Sequence, residues 1–182
     1  MMPCDAVRCA RIAYLEDGQG EAAKLGFSYQ SLRREGTFCW VGHKNGKSIV
    51  AVRGSGRGWQ TALQYEPSCL KDQVPWLGSG RIHEGYYQSL WHILNELRIL
   101  LQGQTEIYFT GHSYGAAIAM LAAILLRGQR VFCFASPRVG DLEFAEAAQS
   151  ALRITRYENR CDAMTRYPYR GSIKETGGQK NG

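Results

Sequence analysis

The sequence predicts an α/β fold in which a mostly parallel sheet is covered by helices on both faces. Three observations point there. From residue 82 onward, helix-spaced and strand-like apolar segments alternate, the order that builds parallel βαβ units. Residues 116–126 form an apolar run with no polar face, as a helix buried inside a domain does. The chain has 182 residues, 45% hydrophobic and 21% charged. That suits one domain, residues 1–182, with a core large enough to need no disulfide staples.

Taken in order, residues 5–16 read as a short N-terminal helix. Residues 37–42 and 48–53 are apolar runs flanking Lys44-Asn45-Gly46, and Asn-Gly between such runs signals a hairpin. Over 82–101 apolar side chains recur at helical spacing (Tyr86, Leu90, Ile93, Leu94, Leu97, Leu100), predicting an amphipathic helix. A buried strand follows at 106–110, then the Ala-rich helix 114–126. Next come a strand at 131–134, a helix at 142–151 and a last strand at 154–157.

Composition narrows the function classes. Twenty-two basic against sixteen acidic residues give +6. Residues 150–182 alone hold seven basic and three acidic side chains, without the aromatic interleaving of an RNA-binding module, so no specific nucleic-acid partner is expected. Residues 1–20 contain Asp5, Arg8, Arg11, Glu16 and Asp17, so no apolar leader can be drawn and a cytoplasmic location is the expectation. The six cysteines are scattered without a CxxC pair, which predicts free thiols and no zinc site.

The chemistry concentrates at Gly111-His112-Ser113-Tyr114-Gly115, set between a predicted strand and a predicted helix. This is G-x-S-x-G in the context its mechanism requires: the serine is held out at the strand end, over the positive end of the following helix. Ser113 is therefore the candidate nucleophile. Asp162, just past the last strand, is the candidate carboxylate that orients a base. Two other patterns weaken on inspection. Gly54-Ser55-Gly56-Arg57-Gly58 has G-x-G-x-G spacing rather than a dinucleotide fingerprint. His83-Glu84-Gly85-Tyr86-Tyr87 lacks the second histidine of a metalloprotease helix.

Five ordered segments resemble the class 3, fungal-lipase-like lipases, an α/β-hydrolase family, over about residues 48–168. They are Ile49-Val50-Ala51-Val52-Arg53-Gly54-Ser55; Ile82-His83-Glu84-Gly85-Tyr86; Gly111-His112-Ser113-Tyr114-Gly115-Ala116; Ser136-Pro137-Arg138-Val139-Gly140; and Asn159-x-x-Asp162 followed by Arg166 and Pro168. The resemblance implies Ser113 as nucleophile and Asp162 as the triad carboxylate. It implies Ser55 and the backbone N–H of Tyr114 as the oxyanion hole, with no cofactor and no metal. It also implies a lipid-ester substrate of the kind met at a membrane or droplet surface, and an apolar lid within residues 58–80 bearing Trp59, Leu63, Tyr65, Val74, Trp76 and Leu77.

One part of the pattern is missing. His43, His83, His92 and His112 all precede Ser113, whereas the family's base follows its aspartate. The expectation is a chain short at its C-terminal end, with the base absent. The alternatives are an impaired protein that retains the fold and binds esters or anionic lipid, and a base supplied in some unusual way.

Overall fold

The structure is a computed structural model and describes residues 1–55, 73–77, 79–158 and 165. Helix α1 spans Pro3–Ile12 and α2 Gln19–Lys24; strands β1 (Gln30–Arg34), β2 (Thr37–Lys44) and β3 (Lys47–Val52) follow. A hairpin of β4 (Gln73–Pro75) and β5 (Arg81–His83) leads into α3 (Glu84–Leu100). Then come β6 (Glu106–His112), α4 (Tyr114–Leu125), β7 (Arg130–Phe134), α5 (Leu142–Ala151) and β8 (Arg153–Tyr157). The main sheet runs β1-β2-β3-β6-β7-β8. Its first two pairings are antiparallel, and β3, β6, β7 and β8 are parallel, as the alternating segments predict.

Strand alternation divides the core between the two faces of this sheet. Phe38 and Trp40 of β2, with Ile49 and Ala51 of β3, meet Cys9, Ile12 and Ala13 at the α1 end of the chain. Cys39, Val41, Val50 and Val52, the intervening residues, face the opposite cluster with Leu90, Leu94 and Leu97 of α3 and the whole inner length of α4. Helix α4 is buried from Gly115 to Ala123, which explains its lack of a polar face. Two polar ties seat α1: the buried Trp40 donates Nε1–H to Cys9 O at 3.1 Å, and the one proton of Thr110 Oγ1 is shared between Ala6 O and Phe132 O, each at 3.2 Å.

The hairpin is as expected: Lys44 faces Lys47 across a two-residue loop in which Asn45 and Gly46 have φ of 48° and 74°, the signature of a type I′ turn. Three features differ from the sequence reading. Helix α1 stops at Ile12, where Tyr14 N–H and Leu15 N–H turn back to Arg11 O and Ile12 O at 3.0 Å each, and Asp17 accepts the Gln19 N–H at 2.9 Å at the start of a second helix. Strand β1 lies on the sheet edge with only Leu32 buried, so it carries no apolar alternation to read. Trp76, expected in a lid, is buried in the core edge-on to Phe144, at a centroid distance of 6.2 Å. Val74 belongs to β4, while Trp59, Leu63 and Tyr65 lie outside the described residues.

Among the described cysteines Cys4 is exposed and Cys9, Cys39 and Cys133 are buried free thiols; Cys69 and Cys161 lie outside them. Burial pushes all three buried thiols from 9.0 up to about 12. An unfolded thiol ionises from pH 9, so above that pH the unfolded chain gives up protons the folded chain retains. The stability these thiols contribute is therefore full below pH 9 and falls as pH rises towards 12. Burial raises Tyr14 as well, and it pulls in the same direction. Denaturant unfolding followed from pH 8 to 11 should show this decline, and Cys133→Ala should make it shallower without abolishing it, since Cys9 and Cys39 remain.

Candidate functional site

Strand β6 ends at His112 and α4 begins at Tyr114, which leaves a single residue, Ser113, to reverse the chain. Ser113 has φ 53° and ψ −129°, a conformation that side chains with a Cβ rarely adopt. Such a residue costs about 1–3 kcal/mol and persists where its surroundings over-determine it. Its N–H donates to Phe134 O on the neighbouring strand at 2.9 Å, and its C=O accepts from Ala116 N at 2.9 Å. Ser113 occupies the N-cap of α4, yet its side chain makes no capping hydrogen bond. The hydroxyl is thus presented at the positive end of a helix without being consumed by it.

The two glycines of the motif serve close approach rather than a positive φ, which falls on the serine. A Cβ on Gly111 would strike Gly115 O and, at 2.7 Å, the Ala116 nitrogen. One on Gly115 would strike Val52 O and, at 2.6 Å, the Arg53 carbonyl. The first turn of α4 therefore lies directly on the ends of β3 and β6. This brings the chain at Ser55 beside the elbow: a Cβ built on Gly54 would sit 3.4 Å from that of Ser113. Of the two oxyanion donors that the family resemblance implies, Tyr114 thus opens α4 directly after the serine, and Ser55 follows the glycine that abuts it.

Sequence reasoning missed Tyr14. Strand alternation turns His112 toward the α1 face, where Tyr14 follows the helix. Gly54 N–H donates to Tyr14 Oη at 3.1 Å, and Tyr14 Oη lies 2.8 Å from His112 Nδ1. One phenol therefore links the residue before Ser55 to the residue before Ser113. Burial holds the phenol above its ordinary value, so it remains a donor. With Tyr14 and His112 98 positions apart, no local pattern signals the contact.

The remaining histidines are dispersed. His43 Nδ1 is 2.8 Å from Ser48 Oγ, and Ser48 pairs with Ile107, at the end of β6 remote from Ser113. His92 is exposed on α3. His83 is buried at the N-cap of α3, edge-on to Tyr86 at 5.9 Å. Asp162, with Asn159, Arg166 and Pro168, lies outside the described residues. A cavity of about 1020 Å³ opens between α5 and β8, lined by Met120, Val139, Ile154 and Arg156 among others. Neither Ser55, Ser113 nor Tyr114 lines it, so the elbow and not this hollow marks the candidate site.

The sheet and its helices have the form of an α/β-hydrolase-like fold, and comparison with known proteins specifies the family. The model of the family "Lipase (class 3)" matches residues 49–172, and the chain belongs to that family. The secreted mono- and diacylglycerol lipase A of Penicillium camembertii is 26% identical over 181 residues, covering 92% of this chain and 56% of that protein. Phospholipase A1-II 1 of Oryza sativa subsp. japonica is 37% identical over 95 residues, 44% of this chain and 24% of that one. The chain thus spans about half the length of the Penicillium relative and less of the rice one. Among solved structures, lipase II from Rhizopus niveus superposes with a TM-score of 0.77 at 17% identity, over 93% of this chain and 75% of that one. A triacylglycerol lipase described as having a serine protease triad gives 0.78 at 18% identity, over 92% and 73%. These two likenesses establish the fold.

The close packing around Gly54 sets a clear expectation. A Cβ there would collide with Tyr14 Oη and, at 2.6 Å, with His112 O. Gly54→Ala should therefore cost about 2–4 kcal/mol in denaturant unfolding, because backbone has to shift. Tyr14→Phe keeps the ring but strands the Gly54 N–H, and should cost about 1–2 kcal/mol.

Proposed function

We propose that this chain carries the acyl-transfer site of a carboxyl-ester hydrolase acting on lipid esters, with Ser113 as nucleophile. The observation that carries the reading is the strained serine at the N-cap of α4, whose hydroxyl does not cap the helix. Ser113 Oγ attacks the ester carbonyl carbon, forming a C–O bond as the carbonyl π pair moves onto oxygen. That oxyanion is received by Ser55 and by the Tyr114 N–H, donors of a kind worth about 10²–10³ in rate each. Collapse breaks the ester C–O bond and expels the alkoxide, which takes up the proton shed by Ser113 Oγ and leaves as the alcohol, and water then releases the acid from the acyl-serine. Asp162 is the carboxylate that orients a base. The scheme draws on side chains and backbone alone. Its substrates are esters of glycerol, the compounds named for the Penicillium relative, met at a membrane or droplet surface.

The proton leaving Ser113 Oγ needs an acceptor, and all four histidines precede Ser113 in the sequence. His112 faces Tyr14, His43 the far end of the sheet, His92 solvent and His83 the core. In a dissected serine triad the histidine is worth on the order of 10⁶ in turnover, and the oxyanion hole with binding retains about 10³–10⁴ over water. These 182 residues are therefore expected to acylate slowly and turn over poorly. The same dispersal of histidines favours a second reading, a protein that binds esters or anionic lipid on the retained fold.

Prolonged incubation with p-nitrophenyl butyrate, followed by peptide mass mapping, separates the two. The expected result is a butyryl adduct on Ser113, absent from Ser113→Ala, with steady-state turnover far below that of a complete esterase. Fast turnover that survives Ser113→Ala would defeat the nucleophile assignment. No adduct, together with retention on anionic vesicles, would favour the binding reading.

A further inference from the structure

We propose that the phenol of Tyr114 is a positioning group for the oxyanion hole, fixing its own backbone N–H by clamping the first turn of α4 to the first turn of α3. The inference rests on the ester-hydrolase reading and adds to it a residue that acts through its side chain as well as its backbone. Tyr114 is the first residue of α4, so its N–H is one of the helix-terminal donors with no intrahelical acceptor. Only the placement of the chain decides where that donor points. The residue before it is the strained Ser113, whose conformation must be imposed from outside.

Tyr114 reaches two atoms of α3. Its Oη donates to Gly85 O at 2.8 Å and lies 2.8 Å from Ser89 Oγ. A phenol has one proton; a carbonyl can only accept, so that proton goes to Gly85 and the Ser89 hydroxyl donates to Tyr114. Gly85 and Ser89 are four residues apart and share one face of α3, so the phenol closes against a single helical turn. The Tyr114 ring lies on that of the fully buried Tyr86, with centroids 5.0 Å apart.

The surface the phenol grips is itself fixed. His83 N–H, just before α3, donates to Val139 O at 3.0 Å, and β5 pairs with β4. On its other side the elbow meets backbone: Ser113 N–H on Phe134 O, and Gly115 against Val52 and Arg53. The sheet thus supports the elbow from behind and the Tyr114 phenol ties it from the front. A side chain of similar bulk without the hydroxyl would fill the space and leave the first turn of α4 free to rock on the sheet.

Tyr114→Phe and Ser89→Ala test this by two readouts, Ser113 acylation by p-nitrophenyl butyrate and the 15N-relaxation order parameter of the residue-114 amide. In Tyr114→Phe the saturating acylation rate should fall about tenfold at an unchanged half-saturating ester concentration, since a misaimed donor weakens only the transition state. The order parameter at 114 should drop below those of residues 116–120. Ser89→Ala, which keeps the bond to Gly85, should show smaller changes of the same sign and serves if Tyr114→Phe fails to fold. Tyr114→Phe with unchanged amide dynamics and unchanged acylation would overturn the clamp, whatever its melting temperature. If the unaltered protein is never acylated at Ser113, the ester-hydrolase reading fails. The amide dynamics then decide the clamp alone, and their constancy in Tyr114→Phe would remove it.

Discussion

The candidate site depends on a contact between backbones. Helix α4 is pressed so closely onto the ends of β3 and β6 that Gly111 and Gly115 have no room for a Cβ. That proximity leaves Ser113 alone to join strand to helix, which forces its positive φ. It also seats Gly54, and with it Ser55, against the elbow. A looser helix would allow an ordinary turn, and the serine would then cap α4 like any other N-cap serine instead of presenting its hydroxyl.

The residues on either side of Ser113 diverge, and the divergence follows from geometry. His112 is the last residue of a strand, so alternation sends it to the α1 face, where Tyr14 meets it. Tyr114 is the first residue of a helix on the opposite face and reaches α3. The two variable positions of the motif are therefore anchored in opposite directions, each through a tyrosine hydroxyl. The α1 side is held in turn by the Trp40 and Thr110 bonds, which place the end of that helix and so Tyr14.

Much of this was legible in the sequence, because local physics carries it. The Asn45-Gly46 turn, the helical spacing over 82–101, the apolar run of α4 and the strand–elbow–helix order each rest on neighbours along the chain. Strand β1 was not legible, since an edge strand with one buried residue has no alternation to display. Trp76 was misread because an aromatic residue in a loop does not reveal whether core or solvent lies beneath it. The glycines of the elbow were legible as glycines but not in their role: steric contact with β3 and with the start of α4 is a tertiary fact. Tyr14 and Ser89 had no sequence signal at all, their partners being 98 and 25 residues away.

The seating of α1 has a consequence for the order in which the protein is made. Its apolar residues Cys9, Ile12 and Ala13 pack against β2 and β3, its Ala6 carbonyl accepts from Thr110, and Tyr14 closes on His112. At a synthesis rate of about 5–20 residues per second, the 98 residues that separate Tyr14 from His112 take roughly 5–20 s to follow. At the start of that interval helix α1 has an uncovered apolar face and no strand yet to receive it. The hairpin of β2 and β3 arrives first and can shelter that face, while the bond that completes the back of the site waits for β6. Helix α1 is thus made before the strands that receive it and is among the last of the described elements to reach its final contacts.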